Sequence, residues 1–280
     1  MNPRALLKAT ASAFRDAGIP DPEVDAALLL SHVTGQPPLS LRLAMTTVLS
    51  DDVLTRFDAL VSRRLTRQPL QYLLHTQPFL GRDFYVDERV LIPRPETELL
   101  AERAIAPLRV HPHPVALDLC CGSGALTIAC AKRNPQGKMV GIDRWGKEYA
   151  SFSLPLCEKN AAAEGVKNAL FRRGNAVKLD FPDESFDAVT SNYVYHNITG
   201  KDKQALLLET LRVLKEGGTF AIHDLMSPRR YGDIQAFVQK LRDMGYEHVE
   251  LIDTTDGSFM TPKEAKRLML RGSTLLVGRK

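Results

Sequence analysis

The hydrophobic positions of the first 68 residues follow a helical period. Four apolar residues would share one face of a first helix over residues 3–18: Leu6, Leu7, Ala11 and Phe14. A second helix is expected over residues 21–35, between an Asp-Pro-Glu start and a glycine stop, and a third begins at Ser50. The pattern predicts a small helical bundle, which would serve either in packing and dimerisation or in recognising a substrate.

After residue 76 the apolar runs become short and are interrupted by turn residues. Residues 77–92 predict a β-hairpin around Gly81. The segment Pro93–Glu98 follows, in which two prolines fix the backbone just before another helix. We therefore predict a helical domain over residues 1–76, a connecting hairpin and hinge over 77–98, and a larger domain over 99–280.

Apolar runs of strand length alternate with helical patterns from Val115 onward. The expected strands cover residues 115–119, 138–142, 168–172, 186–191, 217–223, 247–252 and 273–278. The expected helices cover residues 124–133, 147–164, 201–214, 230–244 and 261–270. Such alternation is typical of an α/β protein with a doubly wound sheet, here of seven strands with a late hairpin.

The first expected strand runs into a loop that contains two glycines. The segment reads Asp118-Leu-Cys120-Cys-Gly122-Ser-Gly124 and leads directly into a helix. Glycines let a ligand lie against bare backbone, and the helix presents its positive N-terminal end, so we expect a nucleotide-type cofactor here. Asp143, at the end of the next strand, would accept hydrogen bonds from two ribose hydroxyls.

The loop sequence distinguishes two cofactor classes. A glycine loop before an acidic strand end would also fit a dinucleotide enzyme. Here the pattern is Asp-x-Cys-x-Gly-x-Gly instead of Gly-x-Gly-x-x-Gly, and Asp118 stands where it could meet a ligand ammonium directly or through water. The segment Leu211–Phe220 is also similar to the turn before the fifth strand of methyltransferases. These features favour S-adenosylmethionine, with Cys120 replacing the usual first glycine of the loop.

Further cofactor contacts are expected from the loops after the later strands. Trp145 would either cover the adenine or be buried under the second helix. Asn175 stands where many such enzymes carry an aspartate that reads the adenine amino group, and its carbonyl oxygen can still accept a hydrogen bond. The remaining expected cofactor residues are Arg144, Ala176 and Asn192.

Composition narrows the setting of the protein. With 280 residues, 44% hydrophobic and 25% charged, it is an ordinary globular chain, and its net charge of +4 permits an RNA partner without favouring one. The four cysteines lack C-x-x-C spacing, which favours reduced thiols and no metal site. Neither a membrane-spanning apolar run nor a secretory signal is evident, so we expect a cytoplasmic protein without membrane contact.

Three segments resemble one protein family: Arg67–Leu73, Phe79–Val86 and, most specifically, Val90–Leu100 with its Ile-Pro-Arg-Pro-Glu-Thr-Glu run. They are similar to the release factor glutamine methyltransferases of the PrmC/HemK type, most strongly over residues 1–135. His75 departs from the family, which usually has glycine there. The resemblance implies a substrate-recognition domain, a connecting hairpin and a Rossmann-like, class I catalytic domain that uses S-adenosylmethionine. From residue 137 onward the chain is more similar to compact bacterial class I methyltransferases of unassigned substrate.

The loop after the strand over 186–191 carries the acceptor chemistry that the family implies. The family has Asn-Pro-Pro-Tyr here, and this chain keeps Asn192 and Tyr195 but has Tyr193 and Val194 in place of both prolines. An amide nitrogen is a poor nucleophile, so carbonyl oxygens that hold its hydrogens and aim it would supply most of the catalysis. The resemblance assigns catalysis to Asn192 and Tyr195, and acceptor binding to these four residues together with Arg94 and Glu96.

Two other functions remain open from the sequence. The domain could methylate a small molecule or another nucleophile, with His196 as general base or with Tyr195 assisting. It could also bind the cofactor without turnover. His223 and Asp224 would either cap the next segment or line the acceptor pocket. We expect a release factor as the partner and no required contact with nucleic acid, since the basic residues read as solvated faces: Arg63, Arg64, Arg67, Lys263, Lys266, Arg267 and Arg271.

Overall fold

The structure, a computed structural model, describes residues 2–44, 46–88, 92–146 and 152–280. The chain forms two compact units, Met1–Ile92 and Pro93–Lys280. Each unit has its own hydrophobic core. No helix in the described ranges is long and apolar enough to cross a membrane.

Helices and a short hairpin make up the described part of the first unit. They are α1 (Pro3–Asp16), α2 (Pro22–Thr34), α3 (Pro38–Leu43), α4 (Asp51–Leu65), α5 (Leu70–Leu74), β1 (Gln77–Phe79) and β2 (Arg82–Phe84). The helices enclose large apolar side chains, among them Phe14, Leu29, Leu30 and Phe57. The helical region that the apolar spacing predicted is therefore confirmed.

Capping chemistry sets the helix ends of this unit. Asn2 Oδ1 accepts a hydrogen bond from the N–H of Ala5 at 2.8 Å and so begins α1. Pro38 opens α3, because a proline suits the first helical turn. His75 ends α5 at φ 54°, in the left-handed region that glycine enters most easily. This left-handed conformation explains why the resembled family usually has glycine at this position.

The second unit begins with α6 (Pro95–Ile105) and continues as alternating strands and helices. The strands are β3 (Val115–Leu119), β4 (Lys138–Asp143), β5 (Ala169–Arg173), β6 (Phe186–Asn192), β7 (Leu214–Leu225), β8 (Glu247–Asp253) and β9 (Ser273–Arg279). The helices are α7 (Ala125–Arg133), α8 (Leu154–Ala163), α9 (Lys203–Arg212), α10 (Pro228–Tyr231), α11 (Ile234–Asp243) and α12 (Pro262–Arg267).

These strands form one seven-stranded sheet in the described part of the chain, in the order β5-β4-β3-β6-β7-β9-β8. The first five are parallel, and β9 pairs antiparallel with both β7 and β8. The predicted doubly wound sheet with a late hairpin is confirmed. Strand β3 lies between β4 and β6, so the chain leaves it in one direction first and the other later. A ligand crevice is expected at such a switch point, beyond the carboxyl ends of the strands.

Several predicted boundaries differ from the structure for local reasons. The helix expected over 147–164 begins at Leu154, because Ser153 caps it and a proline follows in the first turn, while residues 147–151 lie outside the described ranges. The helix expected over 230–244 is divided into α10 and α11 at Gly232, which adopts φ 66° and ψ −147°. The strand expected over 217–223 is longer, because its pairing with β6 and β9 covers Leu214–Leu225.

The parallel strands bring polar residues to one edge of the sheet. Asp143 ends β4 and Asn192 ends β6, while β7 carries His223 and Asp224 near its own carboxyl end. The register pairs Asn192 with His223. Beneath this edge the core is apolar and fully buried, with Leu119, Val189 and Ile222 among its members. A rigid sheet therefore fixes the positions from which the site is built.

Candidate active site

The loop after β3 has a backbone that only small residues accommodate well. Gly122 and Gly124 adopt φ 57° and 81°, in the left-handed region. A Cβ on Gly124 would lie 2.8 Å from Cε1 of Phe171, so a side chain there has neither the conformation nor the space. Cys120 also adopts a left-handed φ, 58°, which costs an L-residue about 1–2 kcal/mol. The structure therefore explains why glycine is usual at that position.

Asp143 is fixed at the mouth of this loop. Its Oδ2 accepts a hydrogen bond from the N–H of Gly122 at 3.0 Å, and its Oδ1 accepts one from the N–H of Trp145 at 2.8 Å. Each carboxylate oxygen keeps a further lone pair. The carboxylate is thus oriented and still able to accept two hydroxyls, as its predicted role requires.

Trp145 lies against the glycine loop. Its indole Nε1 donates a hydrogen bond to the carbonyl oxygen of Gly122 at 3.0 Å, and the Sγ of Cys157 donates to the same oxygen at 3.1 Å. Trp145 is largely buried and has φ 42°. The side chain is thus buried beside the glycine loop, and its covering of the adenine remains a prediction. Arg144, its neighbour, is exposed, and its carbonyl oxygen accepts a hydrogen bond from Nη1 of Arg173 at 3.3 Å.

Asp118 is buried and hydrogen-bonded within the protein. Its Oδ2 accepts from the hydroxyl of Thr127 at 2.7 Å, and its Oδ1 from the hydroxyl of Thr190 at 3.1 Å. Burial, opposed by these two hydrogen bonds, raises the pKa of Asp118 to about 6. The sequence suggested a contact with the ammonium of the ligand. These two hydrogen bonds join β3 to α7 and β6. Each oxygen keeps a further lone pair, and contact with the ammonium, directly or through water, remains a prediction.

The turn after β5 holds the two residues expected near the adenine. Asn175 is exposed, and its Oδ1 accepts a hydrogen bond from the N–H of Val177 at 3.0 Å, which closes a tight turn. Ala176 is buried in the core of the sheet. The turn holds Asn175 in one orientation, and its reading of the adenine remains a prediction.

Asn192 has a partner for each side-chain group. Its Nδ2 donates to the hydroxyl of Thr97 at 3.1 Å, and its Oδ1 lies 3.1 Å from Nδ1 of His223. Because an amide oxygen can only accept, Nδ1 of His223 carries the proton in this contact. Burial lowers the pKa of His223 to about 4, so the imidazole is neutral. The unprotonated Nε2 of His223 then accepts a hydrogen bond from the hydroxyl of Ser273 at 2.9 Å.

Tyr193 replaces the first proline of the family motif and fills the space beside this pair. It adopts φ 54°, and its N–H donates to the carbonyl oxygen of His223 at 2.7 Å. Its ring lies 4.5 Å from that of His223, and the guanidinium carbon of Arg94 lies 5.2 Å from the centre of the ring. Its hydroxyl contacts Ser273 at 2.6 Å and Glu96 at 3.3 Å. Burial raises the pKa of Tyr193 to about 12, so the phenol is neutral.

The resemblance assigned Tyr195 to catalysis and acceptor binding, but the structure places its side chain in the core. Its side chain has no exposed surface. Its hydroxyl lies 2.5 Å from that of Thr210, which itself donates to the carbonyl oxygen of Leu206, so Tyr195 is the donor. The backbone turns inward after the nearly buried Val194, where a short 3₁₀ helix covers Tyr195–Asn197. Tyr195 is therefore part of the hydrophobic core that supports the site.

Arg94 and Glu96 lie beside Tyr193. Glu96 is almost completely buried, and its Oε1 is 3.8 Å from Nη1 of Arg94. That nitrogen is itself buried and has no hydrogen-bond partner in the described part of the chain. A buried donor without a partner is rare in folded proteins, and here it lies within the cluster that contains Asn192 and Tyr193.

The structure also joins two residues that the sequence considered separately. Nδ1 of His196 is hydrogen-bonded to Oδ1 of Asp224, a fully buried carboxylate on β7. The signal in the sequence was a carboxylate, Asp224, close behind the apolar run Phe220–Ile222, together with a histidine in the loop after the preceding strand. Only the pairing of β6 with β7 shows that the two side chains meet.

Comparisons with known proteins identify the family of this chain. Residues 5–74 match the family described as PrmC N-terminal domain, and residues 111–261 match the family described as Methyltransferase domain. The release factor glutamine methyltransferase of Aliivibrio fischeri is 34% identical over 198 residues, which cover 71% of this chain and 67% of that protein. That of Geobacter sulfurreducens is 35% identical over 204 residues, which cover 72% and 68%.

A solved structure supports the fold alone. The crystal structure of the cyclase SpnF matches 66% of this chain and 79% of its own, at a TM-score of 0.50 and 20% identity. The family models and the sequence relatives confirm the resemblance found in the sequence. The chain belongs to the release factor glutamine methyltransferase family and is an S-adenosylmethionine-dependent methyltransferase.

Proposed function

We propose that the protein methylates the side-chain amide nitrogen of a glutamine in a peptide chain release factor. The observation that carries this proposal is the fixed orientation of Asn192. Its amide is held from both ends, by Thr97 and by His223, at the carboxyl edge of the sheet. Its Oδ1 keeps one lone pair, which would accept a hydrogen bond from the amide nitrogen of the acceptor.

The chemistry of an amide acceptor suits such a site. The lone pair of an amide nitrogen is delocalised, so rate enhancement comes mainly from holding the nitrogen in line with the methyl group. The buried Nη1 of Arg94, which lacks a hydrogen-bond partner in the described ranges, would donate to the carbonyl oxygen of the glutamine. One acceptor and one donor would then fix both ends of the amide.

Tyr193 supports the same proposal despite the loss of the prolines. Prolines in this loop remove backbone donors that could compete for the carbonyl oxygens. Here the N–H of Tyr193 is already bound to the carbonyl oxygen of His223, so it does not compete. Packing of its ring against His223 further limits movement of the loop.

The cofactor site fits S-adenosylmethionine. The glycine loop leaves no space for a Cβ at Gly124, and the carboxylate of Asp143 is oriented to accept hydroxyls. Gly122, Gly124, Asp143, Trp145 and Asn175 would hold the group. When bound, S-adenosylmethionine supplies an electrophilic methyl carbon on a sulfonium.

A labelling experiment tests the proposal. The purified protein would be incubated with a purified release factor and labelled S-adenosylmethionine, and the methylated peptide identified by mass spectrometry. We expect one methyl group on a glutamine and loss of this transfer in Asn192→Ala, with cofactor affinity changed less than a few-fold. Asn197→Ala is the matched control, because that side chain is exposed in the same loop.

The other functions predict different results. Transfer to a metabolite extract but not to the release factor would favour a small-molecule acceptor, and cofactor binding without any transfer would favour a binding protein. The proposal requires no nucleic-acid contact. Two of the basic residues considered above already have structural partners, since Arg64 pairs with the buried Asp25 at 2.7 Å and Arg67 donates to the carbonyl oxygen of Ala17 at 2.7 Å.

A further inference from the structure

The loop after β6, which follows Asn192 and carries Tyr193, also contains a histidine whose ring is hydrogen-bonded to a buried carboxylate. Nδ1 of His196 is hydrogen-bonded to Oδ1 of Asp224, and the backbone N–H of His196 donates to Oδ2 at 2.9 Å. Both contacts come from one residue, so the ring and the backbone are fixed together. This fixes the orientation of the imidazole relative to β7.

The surroundings of Asp224 favour the ionised carboxylate although its side chain has no exposed surface. It also accepts hydrogen bonds from the N–H of Leu225 at 2.7 Å and from the hydroxyl of Tyr231 at 2.8 Å. Burial raises the pKa of the carboxyl, but the hydrogen bonds and the nearby imidazole of His196 outweigh it and keep the pKa below its ordinary value. A carboxylate can only accept, so Nδ1 of His196 carries the proton in this contact, and Nε2 is the ring nitrogen left to face an acceptor.

The free nitrogen of His196 belongs to the same cluster as the acceptor-binding residues. Its side chain keeps 18% of its surface exposed, and Nε2 has no hydrogen-bond partner in the described ranges. The ring meets that of Tyr193 edge to face at 6.4 Å between centres. Tyr193 also contacts His223, which holds Asn192, and Arg94. Among the described residues, the titratable groups that contact the imidazole are Asp224 on β7 and Tyr193 on its own loop. Tyr231 on α10 contacts the same carboxylate.

We propose that His196, oriented by Asp224, is the general base that removes the proton from the acceptor nitrogen. This inference rests on the proposed function. A bond forms between the amide nitrogen and the methyl carbon while the carbon–sulfur bond breaks, and its electron pair stays on sulfur. The proton of the nitrogen passes to Nε2 of His196, and the resulting imidazolium is stabilised by Asp224 before it releases the proton to water.

The first test uses the protein without cofactor or acceptor. Nitrogen-15 NMR of the histidine side chains would report the tautomer of His196, assigned by comparison with His196→Gln. We expect at neutral pH a neutral ring with the proton on Nδ1, and loss of that preference in Asp224→Asn. A proton on Nε2, or a ring that is permanently doubly protonated at neutral pH, would overturn the proposal.

The second test measures turnover. In His196→Gln the new amide can still donate to Asp224 but cannot take up a proton. We expect kcat for the release factor to fall about 100-fold or more, with KM and cofactor affinity within a few-fold. His111→Gln, an exposed histidine of the same unit, should leave kcat unchanged.

The two proposals can fail separately. If the wild-type protein methylates the release factor and His196→Gln is equally fast, His196 is not the base and the proposed function stands. If the wild-type protein does not methylate the release factor, the proposed function fails, while the NMR measurement still decides the protonation state of His196. An Asp224→Asn variant that does not fold leaves the His196→Gln result to decide.

Discussion

Asn192 Oδ1 lies 3.1 Å from Nδ1 of His223, and this contact joins the ends of β6 and β7. His223 can hold Asn192 in this way only while its Nδ1 carries a proton and its Nε2 is free to accept from Ser273. Burial keeps the imidazole in that neutral state. The protonation of one buried histidine is therefore coupled both to stability and to the geometry of the acceptor site.

His223 makes stability depend on pH. Its pKa falls from 6.5 to about 4 on folding, so between these values the unfolded chain binds one more proton than the folded one. Its contribution is present above pH 6.5 and is lost as the pH falls toward 4. Relative to His223→Gln, the wild-type free energy of unfolding should rise with pH in this window by up to about 1.4 kcal/mol per pH unit. Urea denaturation at several pH values measures this, and a constant difference would contradict it.

The contribution of Asp118 to stability changes with pH in the opposite direction. Burial raises its pKa from 3.8 to about 6, so its contribution is complete below pH 3.8 and is lost as the pH rises through 6. Relative to Asp118→Asn, the wild-type protein should lose stability over this window, again by up to about 1.4 kcal/mol per pH unit. The same denaturation series decides this, and a difference that rises with pH would show that the carboxyl is ionised when folded.

Gly124→Ala should weaken both folding and cofactor binding. The new Cβ would lie 2.8 Å from Phe171 in a left-handed backbone, so we expect a loss of at least 2 kcal/mol in the free energy of unfolding, from strain and overpacking together. Gly165→Ala is the matched control, since Gly165 has φ 66° but no atom within 4 Å of its Cβ position. It should lose only about 1 kcal/mol. Equal losses would mean that space at Gly124 is not limiting.

Cys120→Gly should stabilise the protein. It removes the left-handed penalty of about 1–2 kcal/mol, which the greater freedom of glycine in the unfolded chain partly offsets, so a net gain of up to about 1 kcal/mol is expected. Cys121→Gly, next to it in the same loop but without a positive φ, should be destabilising. Thermal denaturation of the two variants compares them directly, and a loss at both positions would contradict the interpretation.

Tyr195→Phe distinguishes the role predicted from the sequence from the one seen in the structure. Removing a hydroxyl that bonds Thr210 in the core should lower the free energy of unfolding by about 1 kcal/mol and leave kcat within a few-fold. The exposed Tyr85→Phe should change neither. A collapse of kcat without a change in stability would place Tyr195 back in the acceptor pocket.

The sequence by itself determined the architecture and the cofactor loop. Strand and helix periods are local properties, so the alternation after Val115 predicted the seven-stranded sheet from the residues alone. Glycine and proline act through their own backbones, so the loop at Gly122 and Gly124 could be recognised without knowing its neighbours. Helix ends were less certain, because Ser153 and Gly232 each move a boundary by a cap or a turn.

Only the tertiary structure decided which polar groups meet. Asp224 lies 28 residues from His196, and His223 lies 31 residues from Asn192, so no local pattern connects them. Placing β6 beside β7 in parallel aligns the two pairs at one edge of the sheet. The same packing turns Tyr195 into the core and closes hydroxyls around Asp118. A buried polar group takes the partner that strand order brings within hydrogen-bond distance, and that order is a property of the whole sheet.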